Sequence, residues 1–534
     1  MGQTEAGDPM DGLMMECPLL VKQIAERAGR VFADRELVAR TQDGVERSTY
    51  GQVVDRARRL ASALTALGVK PGDRVASFAW NSLRHLELYL AVPSMGAVLH
   101  TLNIRLFEDD LRYVVEHAGD KLIFLDASLA DVMPSVDGVE REIVMPDGPG
   151  DRDGALDYEE LVAGGDPAFE FPELPENAAA AMCYTSGTTG RPKGVLYSQR
   201  SIVLHTLGAA LPDSMDVREA DSVMPVVPMF HAMAWGLPYI SAMVGARQVL
   251  PGPDLTPRGL ADLIEAEGVT MSAGVPTIWN GVLGLDPAPN LSSLRVLKAG
   301  GAAVPESLIR GFEDRFGVPM VQGWGMTETS PLAATSRVPA GVDPTSEEGY
   351  ALRATVGRVL PLIDFRVDPD AGGELQVRGP WIARAYYGDP GEDGKFTDDG
   401  WLRTGDVAEV EHGSYIKLVD RTKDLVKSGG EWISSVELEN AIMGHPDVVE
   451  AAVIAVPDER WGERPCAFVV PREGSSLGPE ELRAHLEEMV AKWWIPERFE
   501  FLEEVPKTSV GKFDKKLLRA RCAQGEASVG SRSA

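Results

Sequence analysis

The chain is short of several things that would have narrowed its function quickly. Only four of its 534 residues are cysteine, Cys17, Cys183, Cys466 and Cys522, and they lie far apart with no CxxC pair or neighbouring histidine cluster. That argues against a disulfide framework and against a zinc site. No apolar run approaches the roughly 20 residues needed to span a bilayer; the stretch 236–246 is representative of the longest. No basic-then-apolar leader opens the sequence, so a soluble cytoplasmic protein without a transmembrane segment is expected. Basic residues are also scarce, 52 Lys and Arg against 81 Asp and Glu, for a formal charge of −29. Without a long Lys/Arg run, such a chain should repel nucleic acid. Polyanionic ligands in general look disfavoured on the same count.

What is present is globular: 44% hydrophobic and 25% charged residues, in a chain too long for one ordinary core. Short apolar runs alternate with amphipathic stretches at 74–80, 97–102, 121–126, 221–227, 247–250, 271–274 and 294–299. Buried strands alternating with helices predict parallel α/β layers. A helical pattern over 19–67 is broken by a strand-like segment at 36–40, and Ser48-Thr49-Tyr50 reads as a helix cap. After about residue 345 the texture changes to a small antiparallel β subdomain, extending to about 420. Beyond lies a compact α+β segment, with helices expected at 436–443 and 479–491 and strands near 448–456 and 466–470. The polar tail 524–534 should be disordered. The expected division is therefore 1–420, a large α/β domain, and 421–534, a smaller α+β domain.

Four motifs carry chemistry. In YTSGTTGRPKG (184–194), an apolar run at 178–183 leads into a loop of three glycines, four Ser/Thr hydroxyls and Lys193. Glycines admit backbone N–H groups close to an anion, hydroxyls donate to phosphate oxygens, and lysine adds charge. It is not a Walker loop, and composition alone fits a surface turn equally well. GWGMTET (323–329), after Gly300-Gly301-Ala302, offers a flat aromatic, Trp324, and a carboxylate, Glu328, suited to Mg²⁺ beside phosphates. A packed tryptophan in a turn explains it as readily. GWLRTGD (400–406), followed by 420–434, provides Asp406 and Arg421 as ribose partners. PKTSVGKFDKK (506–516) presents Lys512 in a basic stretch that, alone, reads as a solvated tail.

In order, spacing and identity these motifs resemble the adenylate-forming superfamily of acyl-CoA synthetases, luciferases and peptide-synthetase adenylation domains, from about residue 49 to 519. The strings at 72–103, 226–239 and 426–446 are most similar to bacterial medium- and long-chain fatty-acyl-CoA synthetases and methylmercaptopropionyl-CoA ligases. The resemblance implies a two-step reaction. A carboxylate attacks the α-phosphate of ATP·Mg²⁺ with loss of pyrophosphate, and coenzyme A then displaces AMP.

It also implies roles for residues of this chain. Thr185, Ser186, Gly187, Thr188, Thr189 and Lys193 would cradle the β- and γ-phosphates, and Glu328 would hold Mg²⁺. Gly301, Ala302, Gln322, Gly323, Trp324 and Thr327 would surround adenine and the α-phosphate, with Asp406 and Arg421 on ribose. Lys512 would bridge the carboxylate and the α-phosphate, brought in by closure of the small domain about a pivot at Lys423. Gly429, Gly430 and Trp432 would line the coenzyme A path in a second, rotated state. His231 would lie near the carboxylate and Trp235 at the gate of the acyl tunnel, with Val227, Val275 and Gly325 as apolar wall. Being four apart, His231 and Trp235 would share a face of a helical turn. No carboxylate stands in 230–235 to hold an ammonium group, which favours an uncharged acyl tail. A homodimer is expected from the long-chain relatives. Luciferase-like oxygenation, a short or sulfur-containing acid and the loading of a carrier protein are the competing readings.

Overall fold

The computed structural model describes residues 12–185, 191–389, 394–429, 431–487, 489–508 and 512–523. Ser186, Gly187, Thr188, Thr189 and Gly430, and the tail at 524–534, therefore lie outside the described residues.

Two large sheets dominate the first 360 residues or so. The seven-stranded sheet is built on Arg74–Phe78, with Val98–Thr101, Asp120–Asp126, Arg141–Met145, Leu156–Asp157 and Ala179–Tyr184 all parallel. Gly194–Ser198 returns antiparallel at its edge, so the glycine-rich loop joins the last two strands. The nine-stranded sheet has a parallel centre of Arg247–Leu250, Ser222–Pro225, Met271–Gly274, Val296–Gly300 and Met320–Gly325. The alternation in the sequence anticipates most of the central strands but not Arg141–Met145, Leu156–Asp157, Gly194–Ser198 or Met320–Gly325. The strand-like segment at 36–40 is the first strand, Glu36–Thr41, of a hairpin whose second strand, Gly44–Thr49, the pattern misses; the two pair through a two-residue turn ahead of Gly44. The signal there, Asp43-Gly44, is short and lies inside a run that otherwise reads as helical.

Helix Tyr50–Ala66 begins as expected: Thr49 accepts from the Gln52 N–H while the Gln52 side chain accepts from the Thr49 N–H. Helix Leu83–Ser94 is buried on every side, because it lies in the core shared by the two sheets. Separate cores cover the outer faces, one under helices Pro257–Glu267, Pro276–Leu283 and Glu306–Phe316, the other under helix Glu108–Ala118. The result is alternating layers of helix and sheet.

A four-stranded antiparallel sheet follows, Asp364–Asp368, Glu374–Arg378, Leu402–Glu411 and Tyr415–Arg421. The smaller C-terminal domain has its own sheet, with Val448–Asp458 and Gly462–Pro471 at its centre. It also has its own hydrophobic core around Leu438, Ile442, Val453, Val469 and Leu482. The helix expected over 479–491 ends earlier, at Glu487, and Lys492–Trp494 forms a separate 3₁₀ turn. The apolar residues Val490, Trp494 and Ile495 extended the helical pattern in the sequence; in the structure they pack on the domain core from that turn and its flanks.

Candidate active site

Parallel strands present their carboxyl ends to ligands, and here those ends from both sheets face a single cavity of about 800 Å³. His231, Ala232 and Trp235 come from the connection after Ser222–Pro225, Gly301 from the end of Val296–Gly300, and 323–328 from the end of Met320–Gly325. Thr185 and residues 191–193 enter from the glycine-rich loop's two flanks. Thr404, Gly405 and Arg421 come from the four-stranded sheet. Lys512 reaches in from the C-terminal domain, its Cε 3.9 Å from where a Cβ on Gly301 would sit. The two domains also touch where Asn280 Nδ2 donates to the Val449 carbonyl at 3.0 Å.

The wall is cationic although the chain is acidic. Arg191, Lys193, Lys395, Arg421, Lys423 and Lys512 line it, against the carboxylates of Glu328 and Asp389. Lys193 is held at its base: its N–H donates to Thr185 Oγ1 at 3.1 Å, and its carbonyl accepts from the Thr185 N–H at 2.9 Å. Its Nζ lies 3.3 Å from Asp389 Oδ2 and 4.8 Å from the Tyr386 ring centre. Tyr386 donates its hydroxyl proton to Glu328 Oε1. Asp406, buried, accepts from Trp324 Nε1 at 3.1 Å and pairs with Arg421 Nε at 3.0 Å. Burial, with Arg421 nearby, lowers the Lys512 ammonium to about 8, while Asp406 and Glu328 oppose the shift. Burial lowers the His231 imidazolium to about 3, helped by the Lys512 and Arg105 charges, so His231 is neutral at pH 7. Glu328 fits Mg²⁺, which takes one or two carboxylates and completes its shell with phosphate oxygens and water. Among the described residues no three His, Cys, Asp or Glu side chains cluster as a metal site.

His231 and Trp235 both line the cavity, but not by the right-handed turn their spacing suggests. Ala232, Met233, Ala234 and Trp235 all have positive φ, from 37° to 56°, and form a left-handed turn closed by Gly236. Four successive non-glycine residues in that region carry strain of roughly 1–2 kcal/mol each, held by burial of Met233, Ala234 and Trp235 in the main core. The Trp235 ring lies over the glycine pair: a Cβ on Gly300 would sit 3.2 Å from it and 2.5 Å from the Gly323 carbonyl. Gly325 is equally constrained, since a Cβ there would fall 1.7 Å from the Pro331 carbonyl oxygen. Met326, Pro331 and Leu332 complete the apolar end of the cavity.

Several expected contacts are not made. Val227 is buried in the main core and is not on the cavity wall; nor is Val275, although its Cγ1 would lie 3.5 Å from a Cβ on Gly301. Ala302 is exposed beside Gly301 and is not on the wall either. Gln322, two residues before Trp324 on the same strand, is also off the wall, and its buried Oε1 has no hydrogen-bond partner among the described residues. Gly429 and Trp432 are outside the cavity altogether: Gly429, with φ 62°, donates to the Trp461 carbonyl, and Trp432 is about half exposed. Conversely, Tyr113, His117, Tyr386, Tyr387, Asp389 and Lys395 line the cavity without having been singled out. The only trace of them in the sequence is the YYGD run at 386–389, too short to mean anything alone.

The AMP-binding enzyme family matches residues 25–387, and the AMP-binding enzyme C-terminal domain matches 437–512. The chain is 47% identical over 527 residues to a long-chain-fatty-acid–CoA ligase of Thermus thermophilus, covering 95% of this chain and 96% of that one. It is 44% identical over 535 residues to a 3-methylmercaptopropionyl-CoA ligase of Ruegeria pomeroyi, covering 96% and 98%. A medium-chain-fatty-acid–CoA ligase of Ectopseudomonas oleovorans is 41% identical over 536 residues, covering 96% and 97%. Among solved structures, ATP-bound MatB from Rhodopseudomonas palustris superposes with a TM-score of 0.79 at 27% identity, covering 93% and 98%. An anthranilate CoA ligase in complex with anthranoyl-AMP shares the fold, with a TM-score of 0.87 at 24% identity and coverage of 96% and 99%. The chain belongs to the AMP-binding enzyme family and is an acid–thiol ligase within it, an acyl-CoA synthetase that uses ATP with Mg²⁺ and coenzyme A.

Proposed function

We propose that the acid is an unsubstituted medium- to long-chain fatty acid, activated as acyl-AMP and then transferred to coenzyme A. The observation that carries this reading is that one cavity is lined both by cationic side chains and by the apolar side chains of Trp235, Met326, Pro331 and Leu332, with Lys512 on its wall. Lys193 and the Thr185 hydroxyl receive the β- and γ-phosphates, and Asp389 yields Lys193 to them. Asp406 and Arg421 hold ribose, and Trp324 stacks on adenine. Lys512 sits between the α-phosphate and the carboxylate, where its charge offsets the repulsion of two anions and stabilises the charge developing on the phosphoryl oxygens. His231, neutral, donates a hydrogen bond to the carboxylate and adds no competing positive charge. The chain divides at 420/421, and rotation about Lys423 withdraws Lys512 and presents Gly429, Gly430 and Trp432 to coenzyme A.

A second reading is favoured by one observation. Trp235 closes over Gly300 and Gly301, so the apolar end is short while the ring stays there. That suits a short or sulfur-containing acid such as 3-methylmercaptopropionate. A rate series over acids of increasing length, following pyrophosphate and thioester separately, tests both. A maximum at eight carbons or longer supports the fatty acid, and a maximum below six supports the second reading. Pyrophosphate release without any CoA-dependent thioester would refute both.

A further inference from the structure

Helix Glu108–Ala118 has no part in the mechanism above, yet Tyr113 and His117 on it reach both flanks of the glycine-rich loop. The helix is built to end sharply there: three acidic residues open it, His117 stands in the last turn, and Gly119 closes it with φ 66°. His117 Nδ1 shares a hydrogen bond of 2.7 Å with the Tyr184 hydroxyl, and Tyr184 ends the strand on the loop's entry side. One turn earlier, Tyr113 stacks on His117 with ring centres 5.3 Å apart, and the Arg191 guanidinium lies 4.8 Å over Tyr113 on the loop's exit side. The Tyr387 ring meets His117 edge-on at 5.7 Å, and the Tyr387 N–H donates to the Gly194 carbonyl. Gly388 passes so close that a Cβ would lie 3.1 Å from His117 Nε2. The next residue, Asp389, pairs with Lys193, and Tyr386, just before Tyr387, bonds to Glu328.

Beyond its own helix, one imidazole therefore contacts two separate chain segments, and it reaches the loop's exit flank through Tyr113 under Arg191 and through Tyr387 on Gly194, so the registers of all of them must agree. A small rotation of 386–389 moves the partners of both Lys193 and Glu328. A change at Tyr184 moves Thr185, which is tied to Lys193 on both sides. We propose that His117 is a positioning residue for the adenylation half-reaction, locking the two flanks of the glycine-rich loop to segment 386–389 so that Lys193 and Glu328 face the β- and γ-phosphates together. This rests on the reading of residues 184–193 as the triphosphate site.

The test compares His117→Phe, which keeps the ring but loses Nδ1, with His117→Asn, which restores a polar atom near Nδ1, and with Tyr184→Phe. Steady-state constants for ATP are measured alongside thioester formation from supplied acyl-adenylate and CoA. His117→Phe should raise KM for ATP about 10-fold, the effect of leaving one buried hydrogen-bonding group unpaired. The thioester step should change less than 2-fold, and His117→Asn should recover most of the loss. The double variant His117→Phe/Tyr184→Phe should cost no more than the worse single variant, as partners in one contact do. A lowered Tm with KM for ATP unchanged, or an equal loss in both half-reactions, would overturn the proposal, as would independent losses in the double variant. Lys193→Ala separates the two readings: if it leaves KM for ATP unaltered, the triphosphate site itself is misplaced. If Lys193→Ala raises it and neither His117→Phe nor Tyr184→Phe does, only the role of His117 falls.

Discussion

The small C-terminal domain carries two chemically different surfaces. Lys512 is on the wall of the cavity, with Arg421, Asp406, Glu328 and Lys423 all near enough to shift its proton affinity. Gly429 and Trp432 lie outside that cavity, where Trp432 is about half exposed with Lys427 over its ring at 5.4 Å. One surface is desolvated and charge-dense, and the other is open and aromatic. A lysine that must neutralise phosphates gains from desolvation, because charge interactions strengthen as water leaves. A platform for an incoming thiol substrate must stay reachable. A single rigid arrangement cannot give both surfaces access to one acyl-adenylate, and this is the physical argument for proposing rotation about Lys423 between the half-reactions.

The largest expected effect tests that separation directly. Lys512→Ala should slow pyrophosphate release from ATP and acid by about 10³-fold, the scale of removing a charge-stabilising donor. Thioester formation from supplied acyl-adenylate should stay within about 3-fold; equal loss of both steps would break the division. Trp432→Ala is the converse. It should slow the thioester step about 10-fold, as loss of a stacking platform for a base does, while acid-dependent pyrophosphate exchange is unchanged.

The third expectation concerns pH. The Lys512 ammonium is lowered to about 8, so in the free enzyme its charge is present below that pH and lost as pH rises through it. kcat/KM for adenylation should fall above about pH 8, approaching tenfold per unit. The limb in kcat should lie higher, because the anions of ATP and acid restore the charged form. Trp432 carries no titrating group, so the thioester step assayed from acyl-adenylate should lack this limb.

The smallest effect sharpens the contrast from the large domain's side. Ala234→Gly relieves roughly 1–2 kcal/mol of left-handed strain but loses a buried methyl, about 0.8 kcal/mol, and adds backbone entropy of roughly 0.5–1 kcal/mol. The terms nearly cancel, so thermal unfolding should move little. Ala57→Gly, in the buried helix Tyr50–Ala66, relieves no strain and should lower stability by about 1–2 kcal/mol.

Most strands of the two large sheets were legible because buried parallel strands are written as short apolar runs, and 247–250 and 271–274 match to the residue. The first strand of the hairpin, Glu36–Thr41, was legible too, but its turn and second strand, Gly44–Thr49, and the left-handed turn at 232–235 were not. A two-residue turn leaves little composition behind, and the sign of φ leaves none where alanine, methionine and tryptophan occupy the site. The motifs carrying Lys193, Glu328, Asp406, Arg421 and Lys512 could be read in sequence because each combines glycine with a charged or hydroxyl residue at fixed spacing. The meeting of Lys193, Glu328, Arg421 and Lys512 in one cavity, with Asp406 buried beside it against Arg421, could not, since they stand up to 319 positions apart, from Lys193 to Lys512. The resemblance already corrects the charge argument by placing cations at Lys193, Arg421, Lys423 and Lys512; the structure adds Arg191 and Lys395 to them around one cavity in a chain of −29. Net charge sums over the chain, whereas a ligand feels the nearest few groups within a Debye length. The sequence by itself singled out Lys193, Glu328, Arg421 and Lys512; only the tertiary structure decided that His117, Tyr386 and Asp389 line the same cavity, because contacts between distant segments leave no local pattern to read.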